Sequence, residues 1–300
     1  MVLQGKEIKN KGNILAPKRI GLVVDDVCSL PKKIIEENQI EVVETKLIFE
    51  EIEKYPKEKI YQIMQKTKAH PKTSAPSPGQ FLKAYKKSLL KNDEVLVITL
   101  SSKLSGTFNS ANQAKRLMPD SSKIEIVDSS SAAAAEGLLA FKAIELVEKE
   151  KDIKKIKREL ENIKRKIKMI AFLETTYWVE KIGRITKKRA FGFKFLKALG
   201  IMPIIGIKKG EVGIVGFNFW TTKNYKAIFH QLKKESKKAK KMDKKLVIGI
   251  NYTDNKDLAF WLKEMSEKKL KAKVVFVSMV PLIIGANSGP GTLIAAAYVE

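Results

Sequence analysis

The sequence predicts a two-domain α/β protein, with a Rossmann-like parallel sheet in the first domain and an α+β arrangement in the second. In the first half, short apolar runs of the kind that form buried strands alternate with helical segments, which is typical of a parallel sheet. In the second half, two runs in which apolar residues alternate with other residues are joined by Lys208–Glu211, a pattern that predicts a β-hairpin. We place a polar extension at residues 1–17, the first domain at 18–165 and the second at 166–300.

The composition is that of a globular protein with a strong positive charge. The 300 residues are 44% hydrophobic, and 58 Lys and Arg against 33 Asp and Glu give a formal net charge of +25. Three interpretations fit this charge: nucleic acid, an anionic membrane surface, or a solvated lysine-rich surface. The densest run, Lys233–Lys245, has the pattern of the exposed face of a helix. We therefore favour the solvated surface and keep nucleic acid as a secondary interpretation.

The scarcity of cysteine and histidine limits the chemistry. Cys28 is the single cysteine, which excludes an intrachain disulfide and a cysteine-based zinc site. His70 and His230 show no metal-ligand spacing, so we expect no metal and no cofactor. No apolar run approaches the ~20 residues of a membrane span, and the first residues lack the apolar core of a secretory signal. We therefore expect a cytoplasmic protein.

The chain opens with a strand–helix–strand unit. Arg19–Val24 predicts the first strand, Ser29 and Pro31 predict a helix start, and Ile40–Phe49 predicts a second strand. No G-x-G-x-x-G follows the first strand, which excludes the usual dinucleotide-binding motif. Asp25, at the carboxyl end of the first strand, either lines a site or caps the next helix, and the sequence leaves both roles open.

Two helical segments precede the central strand. Glu51–Lys68 is charged and has a helical pattern, and Ser77–Gln80 matches a capping box with proline at the first helical position. Thr73 and Ser74 come just before this cap. We expect them on a loop that two prolines stiffen.

The stretch Glu94–Ala114 carries the strongest functional signal. An apolar strand, Val95–Leu100, ends in a hydroxyl-rich loop, Ser101–Thr107, and a helical segment, Phe108–Leu117, follows. The free N–H groups and the positive dipole end of a helix attract anions, and serine and threonine add donors. These hydroxyls could merely cap the helix, but their number at the end of one strand favours a ligand-binding loop.

Two further strand ends are polar. Lys123–Val127 predicts a strand that ends in Asp128–Ser131, before an alanine-rich helix, and the first strand ends in Asp25–Asp26. In an open α/β sheet the carboxyl ends of the strands gather on one edge, and ligands bind there at the switch of strand order. We therefore expect a ligand site at this edge.

The remaining segments fit an α+β second domain. Lys149–Lys168 predicts a long charged helix that links the domains. The elements predicted after it are a strand at Met169–Leu173, the hairpin, a helix at Asn224–Lys241, a strand at Leu246–Tyr252, a helix at Asp257–Lys269 and a strand at Val274–Val277. Gly289–Gly291, with proline between the glycines, predicts a tight turn between two apolar segments.

These motifs, in this order, resemble the DegV family of fatty-acid-binding proteins. The matching pieces are the first strand with Asp25, TSAPSP at Thr73–Pro78, SSKLSGTFNSA at Ser101–Ala111, VDSSS at Val127–Ser131, GRIT at Gly183–Thr186 and GANSGPG at Gly285–Gly291. The second and third pieces are specific in combination. The resemblance covers the chain from about residue 18 to its last residue, 300.

The resemblance implies a two-domain clamp that holds a long-chain fatty acid between its domains and is no enzyme by itself. The resemblance implies that Thr73, Ser105 and Asn287 bind the carboxylate of the fatty acid. Asn287 occupies the position at which the family has a histidine. The resemblance also implies a separate ATP-dependent fatty-acid kinase as partner, to which the bound fatty acid is presented. Secondary candidates on the ligand loops are Ser74, Ser102, Gly106, Thr107, Asp128, Ser129 and Arg184.

The sequence departs from the family pattern at three places. Asn287 can donate a hydrogen bond but cannot carry charge as a histidine can, so we expect weaker anchoring of the carboxylate. Ile182 stands where a glycine usually precedes GRI, and Asp26–Ser29 replaces the usual continuation after the first strand.

Two other functions fit parts of the sequence. A serine hydrolase would use Ser105 as nucleophile, although neither histidine falls in a recognisable motif with it. A nucleic-acid-binding protein would account for the positive charge. The same charge, through Lys233–Lys245, would also draw the protein transiently to an anionic membrane surface.

Overall fold

Two large β-sheets, with helices between and outside them, and a small two-stranded sheet form the described part of the fold. The computed structural model describes residues 18–48, 60–67, 72–149, 152–183, 186–219 and 225–300. The strands are β1 (Ile20–Asp25), β2 (Glu41–Val43), β3 (Lys46–Ile48), β4 (Lys72–Ser74), β5 (Glu94–Thr99), β6 (Ile124–Asp128), β7 (Lys168–Phe172), β8 (Ile201–Lys208), β9 (Glu211–Phe219), β10 (Leu246–Tyr252), β11 (Lys273–Met279) and β12 (Leu293–Val299). The helices are α1 (Lys32–Glu37), α2 (Ile60–Thr67), α3 (Pro78–Leu89), α4 (Thr107–Arg116), α5 (Ala133–Lys149), α6 (Ile153–Lys164), α7 (Tyr177–Lys181), α8 (Lys187–Ala198), α9 (Tyr225–Lys241), α10 (Lys256–Leu270) and α11 (Leu282–Ser288).

The first sheet consists of parallel strands in the order β2-β1-β5-β6. β1 and β5 are buried along their whole length, because helices cover both faces of the sheet. Val95 and Val97 face a core formed with α3 and α4, whereas Leu96 and Ile98 face a core formed with α5 and α6. The strand order reverses between β1 and β5, so the switch point expected from the sequence lies there.

The second sheet has the strand order β11-β10-β12-β7-β8-β9. β10 and β11 run parallel, and the other neighbours are antiparallel. Ile228, Leu232 and Leu262 of α9 and α10 cover its outer face. A parallel first sheet and a mixed second sheet confirm the predicted fold class, including the hairpin β8–β9.

α5 lies between the two sheets and joins their cores. It packs on β1 and β5 of the first sheet and on β10 and β12 of the second. Ala140 and Ala143 are fully buried, and such small side chains let both sheets approach the helix closely. One apolar cluster therefore contains Leu96 of the first sheet together with Val247 and Ile294 of the second.

The predicted second strand, Ile40–Phe49, is wrong as a single element. Thr45 interrupts it, because its N–H and its hydroxyl both donate to the Asp26 carboxylate, at 3.2 and 2.8 Å. β2 therefore ends before Thr45, and the chain leaves the parallel sheet to form β3, which pairs antiparallel with β4. The expectation that Thr73 and Ser74 lie on a loop is also wrong, since both belong to β4.

The predicted long charged helix, Lys149–Lys168, is wrong as well. α5 extends to Lys149, and α6 is a separate helix whose first turn the Asp152 carboxylate caps. α6 buries Ile156 and Leu160 in the core of the first sheet, so it is a packed layer rather than a free link. The chain passes from the first sheet to the second between α6 and β7, and the domain boundary near this point stays a prediction.

The lysine-rich run Lys233–Lys245 lies on α9 and the turn after it, as the sequence predicts. Leu232, Ser236 and Ala239 face the core, and the lysines between them are exposed. The charge therefore covers the outer side of the second sheet. In the part of the chain that the structure describes, no helix is both long and apolar enough to cross a membrane.

We expect Gly137→Ala to destabilise the protein, because the added methyl would lie 2.5 Å from the Cys28 carbonyl oxygen and 3.0 Å from the Phe276 ring. Overpacking of this kind costs about 1–3 kcal/mol, which denaturant titration measures as a loss in the free energy of unfolding. Gly192→Ala on α8 is the matched control, since a Cβ there meets nothing within 4 Å. Helix propensity predicts that the control gains up to about 1 kcal/mol. Equal effects of the two substitutions would contradict tight packing around α5.

Candidate functional site

A cavity of about 350 Å³ lies between the two sheets, beside the start of α5. This volume is typical of sites for small molecules. The apolar walls come from both sheets and are formed mainly by Val27, Leu100, Ala132, Ala133, Met169, Ala171, Ile205, Ile207 and Ile294. No charged side chain is among the described residues that line the cavity, so its interior suits a long apolar group.

The three residues expected to hold a carboxylate, Thr73, Ser105 and Asn287, all line this cavity. Thr73 lies on β4, Ser105 on the loop before α4, and Asn287 near the end of α11. The first two segments touch, since a Cβ on Gly106 would lie 4.0 Å from that of Ala75. β4 is exposed to solvent, so Thr73 lies where the cavity reaches the surface, whereas Ser105 and Asn287 are half-buried. Their contact with a ligand stays a prediction.

The buried residue Thr107 fixes the position of the Ser105 side chain by hydrogen bonding. Their side-chain oxygens are 2.9 Å apart, and the Thr107 N–H donates to the Ser105 oxygen at 3.3 Å. Thr107 is fully buried, whereas Ser105 is half-buried. When Thr107 donates its hydroxyl proton to Ser105, the Ser105 proton is free to point into the cavity. The pair can thus present one O–H donor to a ligand oxygen.

Asn287 lies beside a turn that glycine makes possible. Gly289 and Gly291 have φ angles of 86° and 71°, a backbone region that favours glycine. Asp254 fixes this turn, because its carboxylate accepts the Gly291 N–H at 2.7 Å. The side-chain oxygen of Asn287 is buried and has no hydrogen-bond partner in the described part of the chain. The unused capacity is that of an acceptor, so Asn287 would bond a carboxylate only through the N–H₂ group of its amide.

Some of the secondary candidates belong to this polar region. Ser74 and Gly106 line the cavity, and Thr107 supports Ser105 from outside the lining. Arg184 lies outside the described residues.

Ser102, Asp128 and Ser129 tie the ligand loops together and are not part of the cavity lining. The Ser102 hydroxyl donates to the Asp128 carboxylate at 2.6 Å, and the same carboxylate accepts the Ser130 N–H at 2.7 Å. The Ser129 hydroxyl donates to the Ser131 carbonyl oxygen at 3.2 Å. The bond from Ser102 to Asp128 joins the end of β5 to the end of β6, whereas the other two bonds lie within the loop after β6.

Of the two roles left open for Asp25, the structure shows the cap, because Asp25 is the N-cap of the short 3-10 helix Asp26–Cys28. Its carboxylate accepts the N–H groups of Val27 and Leu100, at 3.0 and 2.9 Å. Burial raises the pKa of Asp25 to about 7. Asp25 is not in the cavity lining, but both residues that it holds are.

The hairpin β8–β9 forms a wall of the cavity through Ile205 and Val212. A single registered pair, Ala171 with Ile205, joins the hairpin to β7, whereas its own two strands pair along their whole length. At the turn of the hairpin, the Gly210 carbonyl oxygen accepts a hydrogen bond of 2.8 Å from the buried Ser101 hydroxyl, in the loop after β5. The ligand loop therefore holds the turn of the hairpin against the cavity.

The sequence reasoning missed the polar lining residues Thr45 and Ser288 and the whole apolar lining. Ser288 follows Asn287 directly, so the GANSGPG motif could have identified it. Thr45 lay hidden inside the segment predicted as one strand. The apolar walls give no sequence signal, because strands buried on both faces are apolar at every position.

The fold and the cavity together define a two-sheet α/β protein with an internal apolar site and a polar opening. A family model described as "uncharacterised protein, DegV family" matches residues 19–300. The chain belongs to the DegV family.

Named relatives span nearly the whole chain. A DegV domain-containing protein of Clostridium perfringens is 28% identical over 290 residues, which cover 94% of this chain and 99% of that protein. The fatty acid-binding protein of Thermotoga maritima is 28% identical over 285 residues, which cover 92% of this chain and 96% of that protein. A solved structure, "Fatty Acid Binding of a DegV family Protein from Thermus thermophilus", has a TM-score of 0.81 at 26% identity and covers 94% of this chain and 100% of its own.

We expect Ser101→Ala to loosen the hairpin β8–β9, because the Gly210 carbonyl would lose its donor in a buried site. An unpaired buried acceptor costs about 1–3 kcal/mol, so amide hydrogen exchange of residues 201–219 should become faster relative to that of β10. Lys103→Ala is the control. The Lys103–Glu211 ion pair spans the same gap at 3.2 Å, but both side chains are more than half exposed, and such pairs contribute ~0–1 kcal/mol. A larger effect of Lys103→Ala than of Ser101→Ala would contradict this role of Ser101.

Proposed function

We propose that this protein binds one long-chain fatty acid, with the chain in the cavity between the sheets and the carboxylate at Thr73, Ser105 and Asn287. The observation that carries the proposal is the composition of the cavity. Its walls are apolar, and its hydroxyl and amide groups all belong to residues that are not fully buried. A ligand with one small polar head and a long apolar chain matches this arrangement.

The acyl chain of the fatty acid should supply most of the binding free energy, and its carboxylate head should set its orientation in the cavity. Each buried methylene contributes ~0.8 kcal/mol, whereas a hydrogen bond contributes about 1 kcal/mol. A long chain therefore outweighs the few bonds that the polar residues offer. Those residues select the direction in which the fatty acid enters.

Two relatives support the proposal. The Thermotoga maritima relative is named a fatty acid-binding protein, and the Thermus thermophilus structure is described as one of fatty acid binding. Both match more than nine tenths of this chain. The residues to which the family resemblance assigns the head group also line one cavity.

We propose a binding protein rather than an enzyme. A nucleophilic serine needs a base, and among the described residues Ser105 has Thr107 as its side-chain partner, not a histidine or an acid. His230 lies on α9, which covers the outer face of the second sheet. The geometry therefore gives the hydrolase alternative no support, and the nucleic-acid alternative rests on net charge alone.

We further propose that a separate ATP-dependent fatty-acid kinase acts on the bound fatty acid. Thr73 and Ser74 are exposed, so a carboxylate beside them would be within reach of another protein. Acyl phosphate should form when loaded protein, kinase and ATP are mixed, and none should form with protein stripped of lipid. Equal product in both mixtures would reject this partnership.

We propose an anionic membrane surface as a transient partner through long-range attraction. The lysines of Lys233–Lys245 are exposed, but α9 covers the outer face of the second sheet, and the cavity lies on the inner face. The lysines would therefore draw the protein toward the surface without placing the opening of the cavity on it. Binding to phosphatidylglycerol vesicles should weaken as salt rises, and salt-independent binding would reject this idea.

The central test is extraction of the purified protein with organic solvent, followed by mass analysis, which should release one fatty acid per chain. Ser105→Ala should weaken binding by about 1–3 kcal/mol, because a charged acceptor loses a donor. Ser102→Ala is the matched control, since the Ser102 hydroxyl bonds Asp128 outside the cavity. A clean extract together with no uptake of added fatty acid would contradict the proposed function.

Asn287 provides a second test of the head-group site. Asn287→His should tighten binding at mildly acidic pH, because a protonated histidine adds a charge-assisted bond, about twice as strong as a neutral one. The gain should be lost as pH rises through ~6.5, the usual pKa of histidine. Affinity measured on both sides of that pH should titrate in this variant and not in Asn287→Gln. Superimposable curves would show that residue 287 does not face the carboxylate.

A further inference from the structure

Two carboxyl groups lie buried together beside the cavity. Asp25 ends β1 and Glu136 lies in the first turn of α5, a helix that packs on β1. Both carboxyl groups are fully buried, and Asp25 is the charged neighbour that acts most strongly on Glu136. The other strong electrostatic influences on them come from the acids Asp26 and Asp128. Burial raises the pKa of the adjacent Cys28 thiol, which is therefore neutral. Among the described residues, no lysine or arginine is one of the main influences on the pKa of Asp25 or Glu136.

The hydrogen bonds divide the pair into an acceptor and a donor. The two oxygens of Asp25 accept the Val27 and Leu100 N–H groups, one each, as a carboxylate does. Neither oxygen of Glu136 has a donor in the described part of the chain. An ionised Glu136 would be a buried charge without compensation. As a neutral acid, Glu136 can donate its proton to Asp25.

The position of Glu136 in the first turn of α5 favours its ionised state, but the cost of burying the charge is larger than this effect. The amino-terminal turn of a helix stabilises an ionised glutamate, but by less than the cost of burying an unpaired charge. Burial and the neighbouring Asp25 charge both raise the pKa of Glu136 well above its usual value. Two neighbouring carboxylates that are both fully buried cannot both stay ionised.

We propose that Asp25 and Glu136 form a proton-sharing pair that positions the wall of the fatty-acid cavity. Asp25 holds Val27 and Leu100, and Glu136 fixes the start of α5, where Ala132–Ala133 also line the cavity. Loss of the shared proton places two negative charges in contact and separates β1 from α5, so the wall loosens. The effect on ligand rests on the proposed fatty-acid binding, whereas the sharing of the proton does not.

The first test is the infrared band of a protonated carboxyl group, recorded on the full chain at about pH 7.5, where exposed acids are ionised. Wild type should show the band and Glu136→Gln should lack it. Glu94→Gln is the matched control, because Glu94 is also buried on the first sheet but pairs with Lys18 at 2.6 Å; it should keep the band. A wild-type spectrum without the band, or a band that survives Glu136→Gln, overturns the proposal.

The second test is the pH dependence of stability. Burial raises the pKa of Asp25 to about 7 and that of Glu136 well above its usual value, so above about pH 4 these two groups hold more protons in the folded state than in the unfolded state. The denaturant midpoint of wild type should therefore fall as pH rises through neutrality. Glu136→Gln removes one titration and should flatten the profile, whereas Glu94→Gln should retain it. Identical profiles for wild type and Glu136→Gln overturn the proposal.

The third measurement connects the pair with the ligand. Fatty-acid dissociation is followed from about pH 7 to 9, above the range in which a carboxyl group in water titrates. The wild-type rate should rise several-fold, and the Glu136→Gln rate should stay nearly constant. A constant wild-type rate overturns the positioning role. If no form of the protein binds fatty acid, the proposed function fails, and the infrared band and the stability profile still decide whether the proton is shared.

Discussion

The whole fold depends on α5, a helix that must pack on both sheets at once. A helix between two sheets has little room for large side chains, and Gly137, Ala140 and Ala143 keep it narrow where the sheets approach it. This packing explains why one apolar core runs through both sheets, although the chain enters the second sheet only after α6. Larger side chains on α5 would separate the sheets, and the space enclosed between them would lose its walls.

The cavity follows from the place where α5 begins. Ala132 and Ala133 fill little volume beside the carboxyl ends of β1 and β5, and Ala171 does the same on β7. Packing is dense along the rest of α5, but these small side chains leave open space at its start. The ligand loops and α11 bring hydroxyl and amide groups to the edge of that room. Small side chains thus have two effects here: along α5 they let the sheets approach, and around its start they leave space for a ligand.

The sequence predicts the architecture and the polar part of the site, but not the apolar part. The two sheets follow from the spacing of apolar runs, and the loop Ser101–Thr107 could be found because carboxyl ends of parallel strands meet at one edge. Ser105 within that loop was singled out by the family resemblance alone. Ile205 could not be found, since a strand that is apolar on both faces does not reveal which face meets a ligand. Thr45 was hidden because its bond to Asp26, a tertiary contact, breaks the strand. Glu136 did carry a signal, as an acid within an alanine-rich run.

The lysine-covered outer surface gives the molecule a property independent of its ligand. Pairs such as Lys263–Glu267 and Lys268–Glu264 compensate some of the charge on α10, but a net charge of +25 remains. At low ionic strength, where screening reaches ~30 Å at 0.01 M salt, copies of the chain repel one another and the folded chain repels itself. Added salt therefore strengthens the individual fold while it lets neighbouring molecules approach. Colloidal behaviour and conformational stability are coupled through the same lysines.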